Sequence, residues 1–182
     1  MTEIQFHREW AMPNSETFRI QPINSLLRRV ITKGVWVDPY VRNSCFKHLM
    51  KFTNDINPEF EADFHHDSNH FLSLFEDESV DGVLFDPPYS SRQIKECYDG
   101  IGRVVTQEDT QNPWSEIKKQ IARICKPNAI VVRCGWNSMG IGKTLGFDML
   151  EILLVPHGGV RNDTIVTVEK KRAEIQGVFD FV

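Results

Sequence analysis

Residues 81–91, DGVLFDPPYSS, run a short apolar stretch straight into Asp-Pro-Pro-Tyr. Val83, Leu84 and Phe85 form a continuous apolar run, the pattern of a strand covered on both faces. Pro87 and Pro88 forbid the strand to continue, because neither donates a ladder hydrogen bond and each fixes its own φ. The product is a stiff turn that presents Asp86 and Tyr89 at the carboxyl end of a strand. In open α/β sheets that edge is where ligands bind.

Around this turn, strands and helices alternate. Residues 1–17 read as a mobile or loosely docked arm, and TFRIQPINSLLRRVI after it places Leu26, Leu27, Val30 and Ile31 at helical spacing. GVWVDPY (34–40) is an apolar strand stopped by a proline. NSCFKHLMKF (43–52) reads as a helix capped by Asn43 or Ser44. KFTNDIN (51–57) and the more polar ADFHHDS (62–68) are the next expected strands. Past the Asp-Pro-Pro-Tyr turn, a polar stretch leads to an amphipathic helix over 113–125 with Trp114, Ile117, Ile121 and Ile124 on one face. AIVVRCGW (129–136) is a strand, and two β-rich runs joined by a Gly-Gly turn close the chain as a hairpin. This alternation predicts an α/β, Rossmann-like sandwich: a mostly parallel sheet with a C-terminal antiparallel hairpin, in one domain over residues 18–182.

Composition narrows the partners. The formal net charge of -4 provides no global basic footprint, so a nucleic-acid partner would have to meet local positive charge. The four cysteines, Cys45, Cys97, Cys125 and Cys134, form no Cys-x-x-Cys pair, which signals neither a zinc site nor a disulfide framework and points to a reducing cytoplasm. The polar N-terminus and the absence of a bilayer-length apolar run argue against secretion and membrane insertion. HHDSNH (65–70) bunches its histidines without distant partners, so no metal is expected. NSMGIGKT (137–144) ends like a phosphate-binding loop, yet Asn137 stands where its first glycine belongs. The loop is better placed beside a substrate pocket, with Trp136 and Asn137 following a strand end.

With these residues in order, the chain resembles the S-adenosylmethionine-dependent amino-methyltransferases that methylate the exocyclic amine of adenine in DNA. The resemblance runs from about Thr17 to Lys171 and rests first on DPPY at 86–89, similar to that family's catalytic tetrapeptide, in its expected place after an apolar strand. It implies a methyltransferase domain with S-adenosylmethionine as cofactor and Asp86, Pro87, Pro88 and Tyr89 as catalytic residues. VDPY at 37–40 resembles the cofactor strand and loop, which assigns Asp38, Pro39 and Tyr40 to the cofactor. TNDIN at 53–57 resembles the acidic end of the next strand and implies Asp55 for the ribose hydroxyls and Ile56 against the cofactor adenine, with Asp67 near that adenine. The family's cofactor loop is usually glycine-rich. Here VRNS follows instead, and Asn43 and Ser44 would offer hydrogen bonds and a helix N-terminus to the methionine carboxylate.

The chemistry suits these residue types. An adenine amine is a poor nucleophile, and acceptors aimed at its hydrogens favour a pyramidal nitrogen; the Asp86 carboxylate and the Pro87 carbonyl supply two at fixed spacing. Pro88 stiffens the pair, and Tyr89 would stack on a base that has left the duplex. Arg92 and Lys95 are candidates for phosphate contacts. RNA adenine, cytosine or a protein glutamine are alternative acceptors, and a degenerate fold serving as a binding subunit of an active partner is the alternative role. Too few residues separate Asp38 from Asp86 to hold a recognition domain, so relaxed specificity is expected unless a homodimer or a separate specificity partner adds contacts.

Overall fold

The computed structural model describes residues 3–102, 114–159 and 161–173. Seven strands build one sheet: β1 (Gln5–Arg8), β2 (Trp36–Asp38), β3 (Phe52–Thr53), β4 (Val80–Phe85), β5 (Cys125–Gly135), β6 (Phe147–Val155) and β7 (Thr164–Lys171). Their order across the sheet is β1-β6-β7-β5-β4-β2-β3. Neighbours pair in parallel except at β7, which runs antiparallel to both β5 and β6. The expected hairpin is therefore present, with β7 inserted inside the sheet. The Rossmann-like α/β sandwich stands.

Helices cover both faces. On β4, Leu84 points to one side, while Val83 and Phe85 point to the other, as a period of two requires. Leu84, Val132, Leu153 and Val166 pack under Ile23, Leu26 and Leu27 of α1 (Gln21–Val30). Pro22 sits in the first turn of α1, where a missing N–H costs nothing. On the opposite face, Val83, Phe85 and Val131 meet α2 (Ser68–Ser73) through Phe71 and Leu72, and α4 (Trp114–Ile124) through Ile117, Ile121 and Ile124. Between these two helices in sequence, α3 (Ser91–Asp99) begins just past the Asp-Pro-Pro-Tyr turn, capped by the Ser90 hydroxyl, which accepts from Gln93 N. No helix among the described residues is long and apolar enough to cross a membrane.

Three expectations need correction. Residues 5–8 of the supposed loose arm pair with β6, and the Glu9 and Ala11 amides donate on to Leu154 and Pro156. The buried His157 ring, just past β6, reaches the Ala11 carbonyl at 2.9 Å and holds the end of this segment to the same neighbour. The helix expected over 43–52 is a single 3-10 turn, Lys47–Leu49. There the Ser44 hydroxyl accepts from Phe46 N in a local turn, and Lys51 N already donates to Trp36 O, so the span has no room for a helix. The strand expected over 62–68 is one bridge, Asn54 to Phe64. Its ladder is replaced by side chains: Asp63 accepts from Thr53 N, and the buried Asn54 amide joins Pro39 O, His66 O and His66 N.

Candidate active site

Chain direction across the sheet reverses at β2. From β2 the chain moves outward to β3, then crosses back to β4 on the other side, and both β2 and β4 end in an aspartate-proline turn. A crevice at such a reversal lies at the strands' carboxyl ends. Asp38 closes β2, and Asp86 follows β4 directly.

Asp38 is fully buried. Its Oδ1 accepts from Tyr40 N at 2.9 Å, whereas Oδ2 has no hydrogen-bond partner among the described residues. Burial pushes this carboxyl well above the ordinary range, and the nearby Asp86 and Asp55 push it further. A buried acceptor left open in this way is costly unless something fills it. Asp55 is also buried, and its two oxygens accept from Asn57 N (2.9 Å) and Arg42 N (3.0 Å). Burial raises it too, against the pull of those two amides. Each carboxylate oxygen has a second lone pair, so Asp55 keeps acceptor capacity.

Asp86 is partly buried, and the Tyr89 hydroxyl donates to its Oδ1. Burial raises the Asp86 carboxyl, while hydrogen bonds from Tyr89 and Thr17 and the more distant Arg42 and Arg133 hold it down. Pro87 and Pro88 carry the chain to Tyr89, whose amide donates to Gln93 Oε1. The Tyr89 ring is partly buried against the α1 side of the core and meets Trp136 edge-on at 5.8 Å. Tyr89, expected to stack on a base, also bonds the Asp86 carboxylate through its hydroxyl. Trp136 stays exposed beside it, and the exposed Asn137 is bonded to Arg133.

The Pro39 carbonyl accepts from Asn54, and the Tyr40 ring packs against Phe85 and Trp114, a core role. Ile56 is partly buried next to Asp55. Asp67 caps α2 through Asn69 N and lies 3.4 Å from the Tyr98 hydroxyl. Asn43 is exposed and Ser44 serves its own turn, so neither heads a helix as expected. Arg92 and Lys95 lie on the solvent face of α3, and the Arg92 guanidinium pairs with Glu96 at 2.8 Å. Among the described residues, no group of three or more His, Cys, Asp or Glu is arranged to hold a metal ion.

Sequence reasoning missed Thr17, Arg42, Arg133 and Glu169. Thr17 falls in the segment read as an arm, and nothing in its periodicity marks it. Arg133 and Glu169 did carry a signal: each is a charge inside an apolar strand run that ends up buried.

The sequence matches no family model, and a search of curated proteins also returns no match. The fold is shared with solved methyltransferases. A SAM-dependent methyltransferase from Archaeoglobus fulgidus superposes with a TM-score of 0.58 at 13% identity, over 83% of this chain and 94% of that one. TrmN from Thermus thermophilus gives 0.52 at 16% identity, over 84% of this chain and 49% of its own. A 1,6-didemethyltoxoflavin-N1-methyltransferase from Burkholderia thailandensis, solved with S-adenosylhomocysteine, gives 0.52 at 10% identity over 82% of this chain and 76% of its own. Identities this low speak to the fold alone.

Proposed function

We propose that this chain is an S-adenosylmethionine-dependent methyltransferase acting on an exocyclic amine, and that the amine is that of adenine in DNA. The observation that carries the reading is the Asp86-Pro87-Pro88-Tyr89 turn at the carboxyl end of β4, beside the buried open acceptor of Asp38 on β2. The shared fold supports methyl transfer, and the S-adenosylhomocysteine held by one of the fold's neighbours supports the cofactor. The resemblance of the tetrapeptide supports adenine.

The residues fit the cofactor. Asp38 Oδ2 suits a cationic amine, which would satisfy the orphaned acceptor, and the spare lone pairs of Asp55 suit vicinal hydroxyls. When bound, S-adenosylmethionine supplies an electrophilic methyl group on a sulfonium. Asp86, once ionised, accepts a hydrogen of the substrate amine and holds its lone pair toward the methyl side. It then takes the proton that the amine must shed. The Pro87 carbonyl offers the second acceptor, and the ring pair Tyr89 and Trp136 offers a flipped base an aromatic wall.

A second reading, a cofactor-less binding subunit, draws on the glycine-free loop after Asp38 and the missing helix behind it. One experiment separates them. Purified protein is incubated with labelled S-adenosylmethionine and DNA, RNA or protein, with Asp86→Ala as control. Label in DNA adenine that disappears in the variant is expected. Cofactor binding without label in any acceptor would overturn the adenine assignment, and no cofactor binding would favour the subunit.

A further inference from the structure

Two buried charges on the sheet are aimed at one loop. Arg133 of β5 and Glu169 of β7 are both buried. Val131 pairs with Glu169 and Arg133 with Thr167, so the two charged side chains stand diagonally on the same face, the one bearing Phe85. Lys118 of α4 adds positive charge over the same patch. Buried charges need partners, and here the hydrogen bonds of both run to residues 137–142. Arg133 Nη1 donates to the Asn137 carbonyl at 3.1 Å and to Asn137 Oδ1 at 3.2 Å, and that same Oδ1 accepts from Met139 N. The Glu169 carboxylate accepts from Ile141 N at 2.5 Å and from Gly142 N at 3.0 Å. Two amides of the stretch that ends like a phosphate-binding loop, those of Ile141 and Gly142, are thus already filled by an anion of the chain itself.

Two glycines make room for this arrangement. A Cβ on Gly135 would lie 3.0 Å from the Arg133 guanidinium, which lies flat over that position to reach Asn137. Gly140, at φ +59, passes so close to Glu169 that any Cβ would collide with its carboxylate. The clamped loop begins at Trp136, whose ring meets Tyr89 of the catalytic turn. Arg133 Nε has no partner among the described residues, so the guanidinium is committed to the loop without being saturated by it.

We infer that Arg133 and Glu169 are positioning residues: they fix residues 136–142 from the sheet side so that Trp136 and Asn137 face the nucleobase held at Asp86. The inference rests on the methyltransferase reading for its substrate, and the clamp itself can be tested without turnover. Hydrogen exchange of the full chain, read on peptides covering 136–146, should be about fivefold to tenfold faster in Glu169→Gln, because a neutral acceptor replaces an ionised one. Unchanged exchange there, in a variant that folds, would overturn the clamp.

In turnover with a DNA oligonucleotide, Arg133→Lys should raise KM for DNA about tenfold while cofactor affinity by calorimetry stays within about twofold. Arg133→Ala removes the cation beside the buried Glu169 and confounds binding with folding; Arg133→Lys keeps the charge and is the decisive variant. In a Trp136→Ala background, the Arg133→Lys effect should largely vanish, since both act through one loop. Additive losses, or equal loss of cofactor and DNA affinity, would overturn the positioning role. If the wild type transfers no methyl group at all, the methyltransferase reading fails, and the exchange result still decides the clamp.

Discussion

Asp86 is drawn out of water and is also held by hydroxyls, and the two influences oppose each other. Burial raises its carboxyl, while the Tyr89 and Thr17 hydroxyls favour the ionised form that can accept an amine hydrogen. Replacing Asp86 by Ala should lower methyl transfer by about 10²- to 10³-fold or more with cofactor affinity near wild type, measured by labelled-methyl assay and calorimetry. Tyr89→Phe removes a hydrogen bond that favours ionised Asp86, so the carboxyl should rise further. The acidic limb of the kcat/KM profile should then move to higher pH, with activity at alkaline pH largely kept. Tyr89→Ala should lose more at every pH, because the ring that meets Trp136 is gone; equal losses in both variants would refute a role for the ring. Asp38 has a different task. Its open Oδ2 predicts that Asp38→Asn weakens S-adenosylmethionine binding about 10- to 100-fold, since a charge-assisted bond becomes a neutral one.

Elements were legible where burial wrote them, and illegible where side chains replaced the ladder. The runs behind β2, β4 and β5 are apolar because both faces of the sheet are covered there, while β6 alternates buried and half-buried positions, and this patterning carries through to the fold. That both Asp38 and Asp86 stand at the carboxyl ends of strands was legible too, whereas the reversal of strand order at β2 was not. Between β2 and α2 the sequence misleads. Thr53 bonds to Asp63, Asn54 ties three loop groups, and Ser44 closes its own turn, so hydrogen bonds that periodicity assigns to strands and a helix go to side chains. Clamping of residues 137–142 was invisible because it depends on which strands lie side by side, which no local window contains. Asp55 belongs to this side-chain scaffold as well as to the site. Asp55→Ala should therefore lower stability by ~1 to 3 kcal/mol in urea titration, through the orphaned Arg42 and Asn57 amides, and also weaken cofactor binding by ~1.5 to 3 kcal/mol. A variant that loses stability and keeps full cofactor affinity would assign Asp55 to the scaffold alone.

Across the whole molecule, Asp38, Asp55, Asp86 and Glu169 are all raised by burial above their ordinary values of 3.8 for Asp and 4.5 for Glu. The folded chain thus binds more protons than the unfolded one in the window above those values. The stability tied to these groups is complete below the window and is lost as pH rises through the shifted titrations. Urea midpoints should fall with rising pH there, and Asp38→Asn should flatten part of that slope while gaining stability near neutral pH, the cost of a site kept ready for a cation. Specificity is set at the same scale. Reading each base pair takes ~1 to 3 kcal/mol of discriminating contacts, supplied by several side chains placed in a groove. Around the proposed site, the described surface offers Trp136, Asn137 and the exposed Met139 on one clamped loop, and Arg92 and Lys95 on a solvated face of α3. That loop is held rigid from beneath and can present one surface to one base with little reach beyond it. The chain by itself should therefore methylate adenines within a context of at most a few bases. Mapping modified adenines in a methylation-deficient host, and then with the purified monomer, checks this. Complete methylation confined to one long site by the monomer would refute it, while a long site that appears only with a dimer or an added protein would locate the missing contacts in that partner.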